Sequence, residues 1–122
     1  MDLKNKTLEY INAGHPSGLL MDEKGEVSEL KSACLPIGLI PELKAEKQKI
    51  NIKGPVRLLL YTDGLIESPG RLLKNQMNLV LKVMSETKDE PIPIVMDTLL
   101  ASGKEDKQIE LDDICLICIE IQ

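Results

Sequence analysis

Apolar and polar positions alternate along the first part of the chain, the mark of strands with one buried face. Residues 3–13 alternate around a polar Lys4-Asn5-Lys6 turn and close in Leu8-Glu9-Tyr10-Ile11-Asn12-Ala13, a half-buried strand. Gly14-His15-Pro16 then breaks the pattern. Residues 18–22 and 26–30 flank Glu23-Lys24-Gly25, a turn in which glycine can take a positive φ, so the first thirty residues are predicted to form an antiparallel meander. Ala33 to Pro41 carries Pro36, Pro41 and Gly38 among apolar residues. It reads as an ordered loop whose aliphatic side chains pack against another part of the fold.

Further along, residues 46–52 again alternate charged with apolar, and Gly54-Pro55 introduces Val56-Arg57-Leu58-Leu59-Leu60-Tyr61-Thr62. A nearly continuous apolar run of that length predicts a central strand covered on both faces, and Asp63-Gly64 ends it abruptly. From Leu72 to Met84, the spacing of Leu73, Met77, Val80, Leu81 and Met84 predicts an amphipathic helix with Lys74, Asn78 and Lys82 outside. A second helix is predicted from about Pro91 to Ser102, with Asp89 as a cap, proline in the first turn and Gly103 as the stop. Ile114 to Ile121 forms the last strand. No internal repeat, low-complexity tract or linker divides the chain, so residues 1–122 read as one unit of strands, two helices and a strand.

Composition adds constraints. With 122 residues, 43% hydrophobic and 29% charged, the chain has the balance of one soluble globular domain. It has no Phe or Trp and only two Tyr, so its core must be aliphatic. The formal charge of −5, with lysines dispersed among acids, argues against a nucleic-acid partner, which requires a clustered basic surface. No apolar run approaches the ~20 residues of a membrane span, and no apolar signal region follows the first lysines. The chain therefore reads as cytoplasmic. Its three cysteines, an odd number, fit reduced thiols. Cys115 and Cys118 have a C-x-x-C spacing but sit inside a strand pattern, where residues three apart face opposite sides and cannot hold one ion together.

Two acidic spots interrupt or abut otherwise apolar strands: Asp63 at the end of one, and Asp112-Asp113 at the start of another. If those strands are neighbours, their carboxylates converge, and converged carboxylates bind a hard divalent metal. The alternative, a simple Asp-Gly turn and a solvated strand start, stays open on spacing alone. His15, the single histidine, lies in a Gly-His-Pro turn with no acidic or hydroxyl partner in the local sequence, which favours a structural turn over a general acid. Phosphate-binding glycine loops, H-E-x-x-H, G-x-S-x-G and zinc spacings are absent from the sequence. Nucleophilic catalysis by Ser or Cys has no support, and no residue is assigned a direct catalytic role.

Four segments in fixed order resemble one family: Tyr10-Ile11-Asn12-Ala13-Gly14-His15-Pro16, Leu35-Pro36-Ile37-Gly38-Leu39, Leu58-Leu59-Leu60-Tyr61-Thr62-Asp63-Gly64-Leu65-Ile66-Glu67 and Asp112-Asp113-Ile114-Cys115-Leu116. They look like the C-terminal motifs of the stage II sporulation protein E branch of the 2C-type, metal-dependent serine/threonine phosphatases. The resemblance implies an α+β fold, an antiparallel β-sandwich flanked by helices, present here as its C-terminal half. It implies two Mn²⁺ or Mg²⁺ ions, with Asp63 and Asp112 as ligands and Asp113 shaping their surroundings. Gly64 would let the chain turn sharply beneath the metal. In such a site the ions activate a bridging water for in-line attack on phosphoserine or phosphothreonine. The Asn-Ala-Gly-His-Pro and Leu-Pro-Ile-Gly-Leu segments would be scaffold and flap elements.

The family's first half, with its own aspartates in an Asp-x-x-Gly-His-Gly segment, has no counterpart here, and the loop Ser68-Pro69-Gly70 lacks the family's phenylalanine-glycine element. The expectation is a partial site, inactive alone, in a protein whose relatives dephosphorylate anti-anti-sigma regulatory proteins. The alternative function is a non-catalytic docking or dimerisation module. Half a sandwich leaves strand edges unpaired and an apolar face uncovered, so a homodimer is expected.

Overall fold

The computed structural model describes residues 1–42, 44–67, 72–103 and 113–122. In chain order its elements are β1 (Thr7–Tyr10), β2 (Gly18–Asp22), β3 (Val27–Leu30), β4 (Gln48–Asn51), β5 (Val56–Tyr61), a 3-10 turn (Asp63–Leu65), α1 (Leu73–Glu86), α2 (Ile92–Gly103) and β6 (Leu116–Ile121). All strand pairs are antiparallel. A four-stranded sheet runs β3-β2-β5-β6, and β1 pairs with β4 in a separate ribbon.

The layers follow from period-two alternation. On one face of the large sheet, Leu19, Met21, Leu59 and Tyr61 form a core with Val80, Val83 and Met84 of α1 and Val95 and Leu99 of α2. On the other face, Leu20, Leu30 and Val56 pack with Leu8 and Ile52 from the ribbon side. Helices, sheet and ribbon thus make the helix-flanked antiparallel α+β arrangement expected from the sequence. Arg57 ties the helix layer to β5. Its nearly buried guanidinium donates to the carbonyls of Thr87 (3.0 Å) and Glu90 (2.6 Å) and lies 3.6 Å from the Glu120 carboxylate. Planar, multi-donor geometry allows one side chain to satisfy all three.

The β2–β3 hairpin forms as predicted, with Gly25 at φ +84° in the turn. The first thirty residues, however, are not one meander. β1 leaves β2 and pairs with β4 some forty residues later, in the register Leu8↔Ile50. The ribbon so formed sets Leu8 beside Ile52 and Leu20, a burial that pairing β1 to the edge of its neighbour would not provide. The loop from Ala33 to Pro41 is a second correction. Its tip is not buried: Leu35, Leu39 and Ile40 are exposed and Ile37 is 80% exposed. Among the described residues the loop is anchored at its base, by a bridge between Ala13 and Cys34, by the Cys34 thiol on the Asn12 carbonyl and by Pro36 against Gly14.

α1 lies where periodicity predicts it, and α2 where the cap and stop residues do, although Gly103, expected to follow the helix as its stop, is its last residue. In α1, Lys74, Asn78 and Lys82 face solvent. Its buried stripe is Gln76, Val80, Val83 and Met84, with Met77 and Leu81 partly buried beside it. Leu73 belongs to the same stripe by spacing but is exposed, because it occupies the first helical residue, at the end of that face.

Candidate functional site

β5 carries its apolar run as far as Tyr61, and the chain then tightens into the 3-10 turn. The Leu65 amide donates to the Thr62 carbonyl (3.1 Å), and the Ile66 and Glu67 amides both donate to the Asp63 carbonyl (2.9 and 2.8 Å). Burial of Gly64, Leu65 and Ile66 turns this segment inward and leaves Asp63 exposed. Gly64 turns without entering the left-handed region, which among the described glycines is reached by Gly14, Gly25 and Gly38.

β6 is the antiparallel neighbour of β5, with Tyr61 opposite Leu116 as the last rung. The C-terminal end of β5 and the N-terminal end of β6 therefore meet at one end of the sheet. Contacts continue one residue past that rung. The Thr62 amide donates to the Cys115 carbonyl (3.0 Å), the Thr62 hydroxyl donates to the Asp113 carbonyl (3.0 Å), and the Cys115 amide donates to the Thr62 hydroxyl (2.9 Å).

Of the acidic residues singled out from sequence, Asp63 and Asp113 lie at this end of the sheet, both exposed. Asp112 lies outside the described residues. Among the described residues, the Asp63 carboxylate has no hydrogen-bond or ion-pair partner. Its oxygens are hard donors open to solvent, a chemistry that fits Mg²⁺ or Mn²⁺. No group of three or more His, Cys, Asp or Glu side chains able to hold a metal occurs among the described residues.

His15 is held within its own turn. Its backbone amide donates to Asn12 Oδ1 (3.0 Å) and its ring Nδ1 lies 2.9 Å from the Pro16 carbonyl. Asn12 is buried and also donates from Nδ2 to the Leu30 carbonyl (3.1 Å), joining this turn to β3. Between ribbon and sheet lies a cavity of about 490 Å³, bounded by Leu58, Leu60, Ile117 and Tyr10 and reaching His15, Thr62 and Cys115. Cys115 is exposed and borders this cavity, whereas Cys118 packs on the helix-side core, where burial raises its thiol pKa. The two sulfurs thus face opposite sides of the sheet, and both thiols are free.

Sequence reasoning missed Thr62 and Asn12. A threonine before Asp-Gly reads as a helix cap, and an asparagine at a strand end reads as a turn residue. Only the cross-strand contacts reveal what they join.

A family model of stage II sporulation protein E (SpoIIE) matches residues 1–122. The chain belongs to this family. It is 27% identical over 124 residues to phosphoserine phosphatase RsbP of Bacillus subtilis, a match covering 100% of the chain and 29% of RsbP. The SiaA-PP2C domain of Pseudomonas aeruginosa superposes with a TM-score of 0.78 at 20% identity, over 99% of the chain and 49% of that structure. The Mn-presoaked phosphatase domain of SpoIIE from Bacillus subtilis gives 0.74 at 20% identity, over 99% and 53%. The SpoIIE-family chain thus has the 2C-type phosphatase fold, and it spans under a third of RsbP and about half of those two structures.

Proposed function

We propose that this chain forms part of a metal-dependent serine/threonine protein phosphatase domain, in which Asp63 and Asp112 are ligands of Mn²⁺ or Mg²⁺. The observation that carries the reading is the juxtaposition of the β5 and β6 ends, with an exposed, unpaired Asp63 carboxylate on one and the Asp113 backbone bonded to Thr62 on the other. When bound, the ions would activate a water for attack on phosphorus. Asp63 presents oxygen donors from a turn whose buried residues fix its base, and Asp113 and Gly64 support that end of the sheet. The substrate class is phosphoserine or phosphothreonine on a regulatory protein of the anti-anti-sigma type. RsbP, by its name a phosphoserine phosphatase, supports that choice. The setting we propose is the cytoplasm, and no described helix is long and apolar enough to cross a membrane.

Two aspartates leave most coordination positions to water. The chain alone is therefore expected to turn over a phosphoserine peptide poorly with Mn²⁺, and the same residues within a complete phosphatase domain to turn it over well. Asp63→Asn or Asp112→Asn should abolish activity in the complete domain. Full activity in either variant, or metal-dependent turnover by the chain alone that both substitutions remove, would overturn one part of this reading. The exposed Ile37, Ile117 and Ile119 favour a second reading, a docking or dimerising module. A complete domain that is inactive but binds partners through this chain would support it.

A further inference from the structure

Thr62 occupies the N-cap position of the 3-10 turn, yet its side chain makes no capping bond. That departs from the usual use of threonine, whose hydroxyl at such a position accepts from an amide of its own turn. Here both hydrogen-bonding capacities of the hydroxyl are turned across to the neighbouring segment, one donated to the Asp113 carbonyl and one accepting the Cys115 amide. With the Thr62 amide on the Cys115 carbonyl, one residue engages three backbone groups of residues 113–115.

We propose that Thr62 is a positioning residue that fixes the backbone of residues 113–115, which follows Asp112 in sequence, relative to Asp63, so that the two strand ends that bear the proposed ligands keep one geometry. The inference rests on the reading of Asp63 and Asp112 as ligands. The regular ladder ends at Tyr61↔Leu116, and past it a single backbone bond, from the Thr62 amide to the Cys115 carbonyl, continues the pairing, with the Thr62 hydroxyl making the other two contacts. A coordination sphere tolerates only a few tenths of an ångström in ligand distance, so the freedom of a strand end has to be removed before metal arrives. A hydroxyl with one donor and two acceptor sites does this from a position adjacent in sequence to Asp63. The Thr62 methyl is not needed for these bonds, and Ser should replace Thr here, whereas Val, equal in shape, should not.

The test uses the 122-residue chain and its Thr62→Ser, Thr62→Val and Thr62→Ala variants, followed by backbone amide NMR. Without metal, the Cys115 amide should be protected from hydrogen exchange in the parent and Ser chains and lose protection in Val and Ala. Leu60 and Ile119 amides, inside the β5–β6 ladder, should stay protected in all four. Mn²⁺ is then titrated. In the parent and Ser chains, amides at 62–64 and 113–115 should broaden over the same Mn²⁺ range. In Val and Ala, the 113–115 set should require about tenfold more Mn²⁺, the usual effect of losing a group that orients a ligand. Unchanged Cys115 exchange in Val and Ala would overturn the clamp itself. Lost protection with unchanged Mn²⁺ dependence would overturn its role in positioning. Absence of Mn²⁺ broadening at Asp63 and Asp113 in the parent chain would instead sink the metal-site reading, and the proposal with it.

Discussion

Along β5, Leu59 points into the helix layer and is fully buried, while Leu58 and Leu60, on the opposite face, are only partly covered. β6 repeats the contrast: Leu116 and Cys118 pack on the helix-side core, and Ile117, one residue away, is 51% exposed. The strands carry aliphatic residues on both faces, so the difference lies in what covers them. Two helices close one face. On the other, a two-stranded ribbon reaches Leu20, Leu30 and Val56 and leaves a cavity over Leu60 and Ile117. An apolar run predicts that a strand is to be covered on both sides, and it is silent on whether the second cover comes from the same stretch of chain.

The largest expected contrast is in packing. Leu99→Ala or Leu59→Ala on the closed face should lower unfolding free energy by about 2–5 kcal/mol, because the cavity left among packed neighbours cannot collapse. Ile117→Ala on the open face should cost about 1 kcal/mol or less. Urea denaturation of the three variants decides; equal losses would mean that the open face is closed in solution, as by a second copy of the chain.

A pH experiment sharpens the same comparison. Burial, with Glu29 as a lesser negative influence, pushes the phenol of Tyr61 from 10.0 up to about 12, and its hydroxyl lies 3.8 Å from Met77 Sδ. Below the unfolded value of 10.0 the phenol is neutral in both states and contributes nothing to the pH slope. Between 10.0 and about 12 the unfolded chain ionises first, so stability falls with rising pH through that window. Tyr61→Phe should remove this part of the fall, seen as a smaller difference in urea midpoint between pH values of about 9 and about 11. An identical fall in both proteins would place the Tyr61 hydroxyl in water.

The smallest effect is kinetic. Cys115 on the open side should react with a thiol reagent well before Cys118, whose thiol pKa burial raises. Mass spectrometry of a labelling time course reads the order. Simultaneous labelling would break the distinction between the faces, and a Cys115–Cys118 disulfide would contradict their placement on opposite sides.

Much of this architecture is legible in the sequence. The hairpin at Gly25, the central position of β5, the first helix and the last strand are local patterns of period two or 3.6, the second helix is marked by its end signals, and all appear where those signals lie. The β1–β4 pairing is not local, and no turn signal between Tyr10 and Gln48 announces it. The exposed loop misleads for a different reason. Its leucines and isoleucines promise burial, but burial requires a surface to land on, and the described residues offer none to its tip. At the candidate site, Asp63 is legible because an acid ends an apolar run. The partner strand is legible too, since both carry acids at their ends. Thr62 is hidden, because the same residue type serves a cap, a turn or a cross-strand bond, and Asp112 lies outside the described residues.

The position of β6 at the outer margin of the sheet among the described residues has a consequence for the 122-residue chain in concentrated solution. Leu116-Ile117-Cys118-Ile119-Glu120-Ile121 has high strand propensity, no proline and one charge, the composition of segments that stack from chain to chain into fibrils. Glu120 is its sole gatekeeper. The same carboxylate lies 3.6 Å from Arg57, so part of its repulsive effect is already neutralised within each molecule. What keeps neighbouring margins apart is then largely the net charge of −5, whose reach salt shortens from about 30 Å at 0.01 M to about 8 Å at physiological strength. Colloidal stability should accordingly fall as salt is added, even where the fold itself is unaffected.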